Sequence, residues 1–408
     1  MKKIILIPVI AVFIVIVLLV AYGIFKYTVK TITEREVKRI TQQEIGRITD
    51  DEVSRITQDE IDRITKEKTE EITKQILGGA ASDSGLKEVE CDRTPAQKQF
   101  SNIPYYAGPL LDNHLHMPFT FEAPKSIYQE ADWDAPILEK EVLAGDIICG
   151  FDKEKISSAF GFYVVPNLLK GQALKLIKQI EQQHTGRITP FLMPTHVSSL
   201  DLKPEEAEEI LNSNKGLFKG YGEIAFYKGS FKGISPDDPV LLEFYKIADN
   251  HNLIVMIHPD YGQQSAIEQI LKVNPNVKFL FHGHEMEPWV IYILDKYQNA
   301  YYSVDTSLFG IPNELIANLY GPEKEEFVSE LTGNFNKILD TNLGKWKPRI
   351  EKYPDKFLWG TDRAFAWHFD SEVGVLLEGM SRSFIGQLNP EVQEKFAYKN
   401  AERLLQER

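Results

Sequence analysis

The sequence predicts an α/β protein, a (β/α)8 barrel preceded by a transmembrane helix and a helical stalk, on three observations. Short apolar runs alternate with amphipathic ones from Leu110 to the C-terminus, an uncharged apolar segment opens the chain, and an Ile-Thr octad recurs between them. Strict alternation of this kind calls for a parallel sheet, and eight units call for closure into a barrel.

The N-terminal segment runs from Ile4 to Phe25, "IILIPVIAVFIVIVLLVAYGIF", without a charge. As a helix it would span roughly 33 Å, enough to cross a bilayer. A cleaved secretory signal is the competing reading, with Ala21 and Gly23 as a small-x-small site, but the apolar run outlasts a usual signal core. Residues 1–30 are therefore read as a single-pass membrane anchor. Lys2 and Lys3 on one side face Lys26 and Lys30 on the other, so charge orients the anchor weakly; a signal anchor would put the bulk of the chain outside the cytoplasm.

From Ile32 the octads "ITEREVKR", "ITQQEIGR", "ITDDEVSR" and "ITQDEIDR" follow one another. Glu44, Glu52 and Glu60 each precede Arg47, Arg55 and Arg63 by three positions, which pairs them on a helix surface. Eight residues drift about 80° per repeat, so no straight seam forms and a plain two-stranded coiled coil is disfavoured. Residues 31–76 read as an elongated stalk, which leaves homo-oligomerisation open, and residues 77–90, with "LGGAASDSG", read as a linker.

Residues 91–408 form the expected barrel domain. Its strands are "PLLDNHLH", "AFGFYVVP", "ITPFLMP", "FKGYGEIAF", "LIVMIHPD", "VKFLFHGH", "AYYSVD" and "DKFLWGTD". Helical patterns such as "ALKLIKQIEQQ", "PEEAEEILN", "DPVLLEFYKIADN" and "SAIEQILKVN" separate them. No Gly-rich phosphate turn follows an early strand, which disfavours a doubly wound open sheet. A net charge of −13 excludes a general nucleic-acid surface. The two cysteines, Cys91 and Cys149, lack the spacing of a zinc finger and are read by default as free thiols, with one disulfide as the alternative.

The chemistry gathers at strand ends. His114 and His116 sit two apart on the first strand and so share a face. Composition alone would produce about 0.2 such pairs, so the pair needs company to mean anything. His258, His282 and Asp362 end later strands, and Glu223 lies late in the fourth. In a barrel those ends surround one mouth, and the set reads as a carboxylate and imidazole cage for one or two divalent ions.

His-x-His on strand 1, histidines on strands 5 and 6 and an aspartate on strand 8 resemble the amidohydrolase superfamily of metal-dependent, TIM-like barrel enzymes. Through "DPVLLEFYKIADNHNLIVMIHPD", "VNPNVKFLFHGH", "FLWGTDRAF" and "NPEVQEKFAYKNAERLL" the chain is similar to the amidohydrolase-related family, over roughly Leu110 to Leu405. The resemblance implies His114, His116, His258 and Asp362 as ligands, with His282 a second-metal ligand or catalytic imidazole. It implies zinc first, manganese or magnesium otherwise, and hydrolysis of a small ester, lactone, amide or phosphoester by metal-activated water. Asp362 would move the proton and His282 would stabilise charge on the substrate oxygen. Glu223 is less usual there and resembles a deoxyribonuclease-like branch, in which a strand 4 glutamate bridges two metals.

Metal-dependent decarboxylases of the same family are the alternative; they need a cationic or aromatic carboxylate pocket, which the loops do not spell out. An inert displayed barrel is the third reading, and it would have lost ligands. His284 could replace His282 but lies past its strand, and His196 reads as a substrate contact or a loop hydrogen bond. Arg363 should point away from Asp362 into an ion pair, Phe365, Trp367 and His368 read as aromatic packing, and His184 and His251 carry no role.

Overall fold

The computed structural model describes residues 104–117, 142–196, 201–310 and 323–407, with Cys91, Thr94 and Ser198. The anchor, stalk and linker lie outside the described residues, among which no helix is long and apolar enough to cross a membrane.

Strand β1 is Leu110–His116, followed by α1 (Ala144–Glu154), β2 (Ile156–Val164), α2 (Lys170–Gln183), β3 (Ile188–Met193) and α3 (Pro204–Ser213). Then come β4 (Gly220–Ala225), α4 (Pro239–His251), β5 (Ile254–His258), α5 (Gln264–Val273), β6 (Lys278–Phe281) and α6 (Val290–Lys296). The series ends with β7 (Ala300–Asp305), α7 (Lys324–Lys352), β8 (Phe357–Gly360), α8 (Ser371–Ile385), α9 (Pro390–Glu394) and α10 (Asn400–Gln406). All eight expected strands are present, in sequence order in one sheet, each parallel to the next.

The strands read as unbroken apolar runs because both of their faces are covered, by helices outside and by side chains inside. Phe160, Phe162 and Phe191 fill the interior, with ring centroids 4.9 Å apart for Phe160 and Phe191 and 4.8 Å for Phe162 and Phe191. The Phe162 ring lies 5.2 Å from that of His114, so this aromatic layer is the floor on which the imidazoles rest. At the other end, the Asn400 side-chain amide donates to Pro354 O and Phe357 O, both at 2.8 Å, and ties the last helices to the foot of β8.

Closure between β8 and β1 is made by the Asp362 N–H donating to His114 O at 2.8 Å and the His116 N–H donating to Arg363 O at 3.1 Å. The buried Asp112 carboxylate reinforces it, accepting from His114 N at 3.1 Å and from the backbone N–H and hydroxyl of Thr361 at 2.9 and 2.5 Å. Arg363 points outward into a buried pair with Glu154 on α1, as the alternation of a strand requires.

One expectation is corrected. Cys91 and Cys149 are joined in a disulfide, with Cα atoms 5.7 Å apart, and are not free thiols. Their separation of 58 residues carries no local signal, and only folding brings α1 beside the chain that enters the barrel.

Candidate metal centre

Seven side chains converge at the C-terminal mouth of the barrel. His114 and His116 come from β1, Glu223 from β4 and His258 from the end of β5; His282 immediately follows β6, Asp305 ends β7, and Asp362 lies two residues beyond β8. The backbone around them is specialised. Gly222 has φ +114°, and a Cβ there would stand 2.3 Å from Met256 O, so only glycine lets β4 pass this close to β5 where Glu223 turns inward. Asp362 itself has φ +55°, in the left-handed region, where the chain leaves β8.

Glu223 divides its carboxylate between two groups. Its Oε2 lies 3.4 Å from His116 Nε2 and 3.8 Å from His114 Nε2, while Oε1 lies 2.8 Å from His282 Nε2 and 3.1 Å from His258 Nδ1. Asp362 Oδ1 stands 3.2 Å from His116 Nε2 and 3.4 Å from His114 Nε2. Ligands about 2.1 Å from a tetrahedral ion stand about 3.4 Å from one another, close to the 3.2–3.8 Å that separates the Nε2 atoms of His114 and His116 from the nearest oxygens of Asp362 and Glu223. His114 Nε2 is buried and has no hydrogen-bond partner, an orphan position that a cation would satisfy. Three overlapping sets, His114–His116–Glu223, Glu223–His258–His282 and His114–His282–Asp305–Asp362, each hold their donor atoms within 4.8 Å. The donors present therefore fit a divalent ion, and Glu223 belongs to two of the sets.

Electrostatics points the same way. Burial raises the carboxyl of Glu223, but His282, His114 and His258 outweigh it and hold the group well below its ordinary range. Burial likewise opposes ionisation of Asp362, and His114 and His116 overcome it, so its carboxyl is lowered. Burial pushes the His114 imidazole down, yet Asp362 and Asp305 raise it well above its usual value. For His282, burial and His114 pull down and Glu223 and Asp305 lift the group to about 9; for His116, burial wins and lowers it. Buried carboxylates of this kind require positive charge beside them, from imidazolium protons or from a metal ion.

Two residues absent from the sequence-based set complete the cage. Asp305 Oδ2 lies 3.2 Å from Nδ1 of both His114 and His282, and so turns the Nε2 atoms of both rings towards Glu223. Its signal was present in the sequence, since it ends "AYYSVD" as Asp362 ends "FLWGTD". Glu285 Oε2 lies 2.9 Å from His258 Nε2, leaving Nδ1 for Glu223. Gly283, at φ +95°, permits this approach, because a Cβ there would come within 2.3 Å of His258 Nε2.

The remaining histidines lie apart from the cage or at its edge. His284 pairs with Glu287 at 2.9 Å, and His196 Nε2 accepts the Ala225 N–H at 3.2 Å while burial holds its imidazole down to about 3. His368 Nδ1 accepts from Ala364 N and Phe365 N at 3.1 and 3.3 Å, amid stacked Phe365 and Trp367 rings. His184, after α2, and His251, at the end of α4, sit at the opposite end of the barrel.

A family model described as amidohydrolase matches residues 182–406, a span that takes in Glu223, His258, His282 and Asp362 and stops short of β1. No curated protein matches the chain. Among solved structures, an uncharacterised TIM-barrel protein from Bordetella bronchiseptica is 16% identical, over 73% of this chain and 98% of that one, with a TM-score of 0.44. Dihydroorotase from Campylobacter jejuni is 16% identical, over 78% of this chain and 88% of that one, with a TM-score of 0.42. A 5-carboxyvanillate decarboxylase from Novosphingobium aromaticivorans, complexed with manganese, is 11% identical, over 78% of this chain and 100% of that one, with a TM-score of 0.41.

Proposed function

The chain belongs to the amidohydrolase family, and on that premise we propose that it is a membrane-anchored hydrolase that uses metal-activated water on a small ester, lactone, amide or phosphoester. The observation that carries the reading is the divided carboxylate of Glu223, one oxygen towards His114 and His116 and the other towards His258 and His282. A residue so placed can serve two ions at once. His114 and His116 would hold the first with Glu223, Asp362 standing 3.4 and 3.2 Å from their Nε2 atoms; His258 and His282 would hold the second with Glu223. Imidazole-rich donors suit zinc, and the carboxylates keep manganese and magnesium in contention. Such an ion supplies Lewis acidity, bringing the pKa of water to about 7 and polarising a carbonyl or phosphoryl oxygen.

The protein's own part is to place charge and protons. Asp362, held ionised by His114 and His116, is the base that takes a proton from water and returns it to the leaving group. His282, backed by Asp305, has an alternative role to that of second-ion ligand: with no ion on its Nε2, the imidazole stabilises negative charge on the substrate oxygen. Asp305 and Glu285 fix ring orientation, and the phenylalanine floor keeps water from entering below. Decarboxylation on the same cage is the second reading, favoured by a cationic and aromatic pair, Lys228 and Tyr227, that the sequence alone did not reveal.

The proposal extends to placement in the cell. Residues 4–25 anchor the chain in the membrane, residues 91–408 are the catalytic unit, and that unit lies outside the cytoplasm. The Cys91–Cys149 bridge supports this, since disulfides persist in oxidising compartments. Elemental analysis of the purified full chain tests the centre: close to two divalent ions are expected in the wild type, and fewer in Glu223→Gln. One ion in both proteins would make the centre mononuclear. Chelation should abolish hydrolysis across a lactone, amide and phosphoester panel, with release of carbon dioxide instead marking the second reading.

A further inference from the structure

We propose that the buried Glu154–Arg363 pair is a positioning device for Asp362, fixing where the proton-moving carboxylate stands beside the imidazoles of the cage. The inference rests on the hydrolase reading and adds two positioning residues to it, neither of which touches substrate or ion. Asp362 sits at φ +55°, a left-handed conformation uncommon outside glycine that persists where the surroundings impose it. Both of its chain neighbours are tethered to buried carboxylates. Thr361 donates its N–H and hydroxyl to Asp112 at 2.9 and 2.5 Å. Arg363 meets Glu154 through two nitrogens, Nη1 to Oε1 at 3.2 Å and Nη2 to Oε2 at 2.5 Å. The base is thus held from β1 on one side and from α1 on the other.

The pair occupies a fitted socket. Both residues are 2% exposed, and α8 passes them at Gly374, where a Cβ would stand 2.1 Å from Glu154 Oε1. Only glycine leaves room there for the carboxylate. Arg382, also on α8, donates from Nη2 to Glu154 O at 2.9 Å and to Lys155 O at 3.1 Å, and from Nη1 to Tyr106 O at 3.1 Å and Gly108 O at 2.7 Å. The end of α1 is thereby fastened to the chain that enters β1, which makes Glu154 a fixed point for Arg363 to reach. The Arg363 backbone completes the circuit, since its O accepts the His116 N–H at 3.1 Å. A displaced guanidinium therefore shifts Asp362 and the His116 backbone together.

Stability is a poor explanation for such a pair. Taking two charges out of water costs about as much as their attraction returns, and apolar side chains of similar volume often fill the space as well or better. What two parallel bonds from a rigid guanidinium do supply is direction. Direction matters at this point of the barrel, because Asp362 Oδ1 stands 3.2 Å from His116 Nε2 and 3.4 Å from His114 Nε2. A misplacement of about 1 Å at a reacting group costs on the order of 10²-fold in rate.

The test separates direction from stability by replacing both partners at once, Glu154→Leu with Arg363→Met, in the full chain. The urea midpoint of the double variant should equal or exceed that of wild type, because the socket is refilled without charge. Cobalt should nevertheless bind it about tenfold more weakly, with a visible absorption spectrum, which reports ligand geometry, shifted from that of the wild type. Turnover on whichever ester, lactone, amide or phosphoester the wild type hydrolyses fastest should fall about 10- to 100-fold with KM little changed. Arg363→Lys keeps the charge and loses the fork, and should fall between the two. Wild-type cobalt affinity, spectrum and turnover in the double variant overturn the proposal. If the double variant does not fold, Arg363→Lys decides: weaker cobalt binding at an unchanged urea midpoint supports positioning, and cobalt binding equal to wild type overturns it. Wild type that takes up no cobalt sinks the metal-dependent hydrolase reading, whereas cobalt-loaded protein indifferent to the pair sinks only this inference.

Discussion

Asp305 ends β7, Asp362 lies two residues past β8, and both face His114, yet they meet opposite edges of its ring. Asp362 stands on the Nε2 side, among the atoms that would hold an ion, and Asp305 on the Nδ1 side, where it sets which nitrogen carries the proton. Asp362→Asn keeps the shape and one ligand oxygen but loses the charge and the capacity to accept a proton. Turnover on the best substrate should fall by roughly 10² to 10⁴ with metal partly retained; full turnover at saturating metal would show that this carboxylate does not move the proton. Strand ends were legible as the place where polar groups collect, and that logic reached Glu223, His258, His282 and Asp362. It passed over Asp305 because the reading began from histidines and their company. Glu285 was out of reach for a different reason: it lies in the turn after β6, where no period marks which side chains return to the mouth.

At the scale of elements, the strands were readable because burial on both faces leaves an unbroken apolar signature, and the helices because each must keep one polar side. What the pattern cannot express is how two strands approach. β4 delivers Glu223 only because Gly222 occupies φ +114° with no Cβ to strike Met256 O on β5. Gly222→Ala should therefore cost about 1 to 3 kcal/mol of stability and lower the metal content, as Glu223 is pushed out of line. An unchanged urea midpoint together with full metal loading would mean that β4 can shift without consequence. The segment after β7 reads as a long helical and loop region with no motif to translate, and it holds the long helix α7, whose course breaks at Asn334.

Over the whole molecule, the Cys91–Cys149 bridge ties the incoming chain to α1 across 58 residues. On the chain-entropy view a loop of that size contributes about 4 kcal/mol. Reduction, or Cys149→Ser, should lower the thermal midpoint by several degrees, and equal midpoints with and without reductant would show that the bridge adds nothing to the fold. The pairing was not legible because cysteines so far apart in sequence meet only once the barrel exists. A last consequence follows from where the barrel closes. The hydrogen bonds that join β8 to β1 run between Asp362 and His114 and between His116 and Arg363, so three of the cage residues belong to the seam itself. An ion shared by His114, His116 and Asp362 is then a clasp on a ring: it fastens the first strand to the last, two pieces of chain that nothing local holds together. Emptying the site would loosen the ring at the point where it was last joined, and a chain caught halfway through folding would have neither a complete wall nor the means to react.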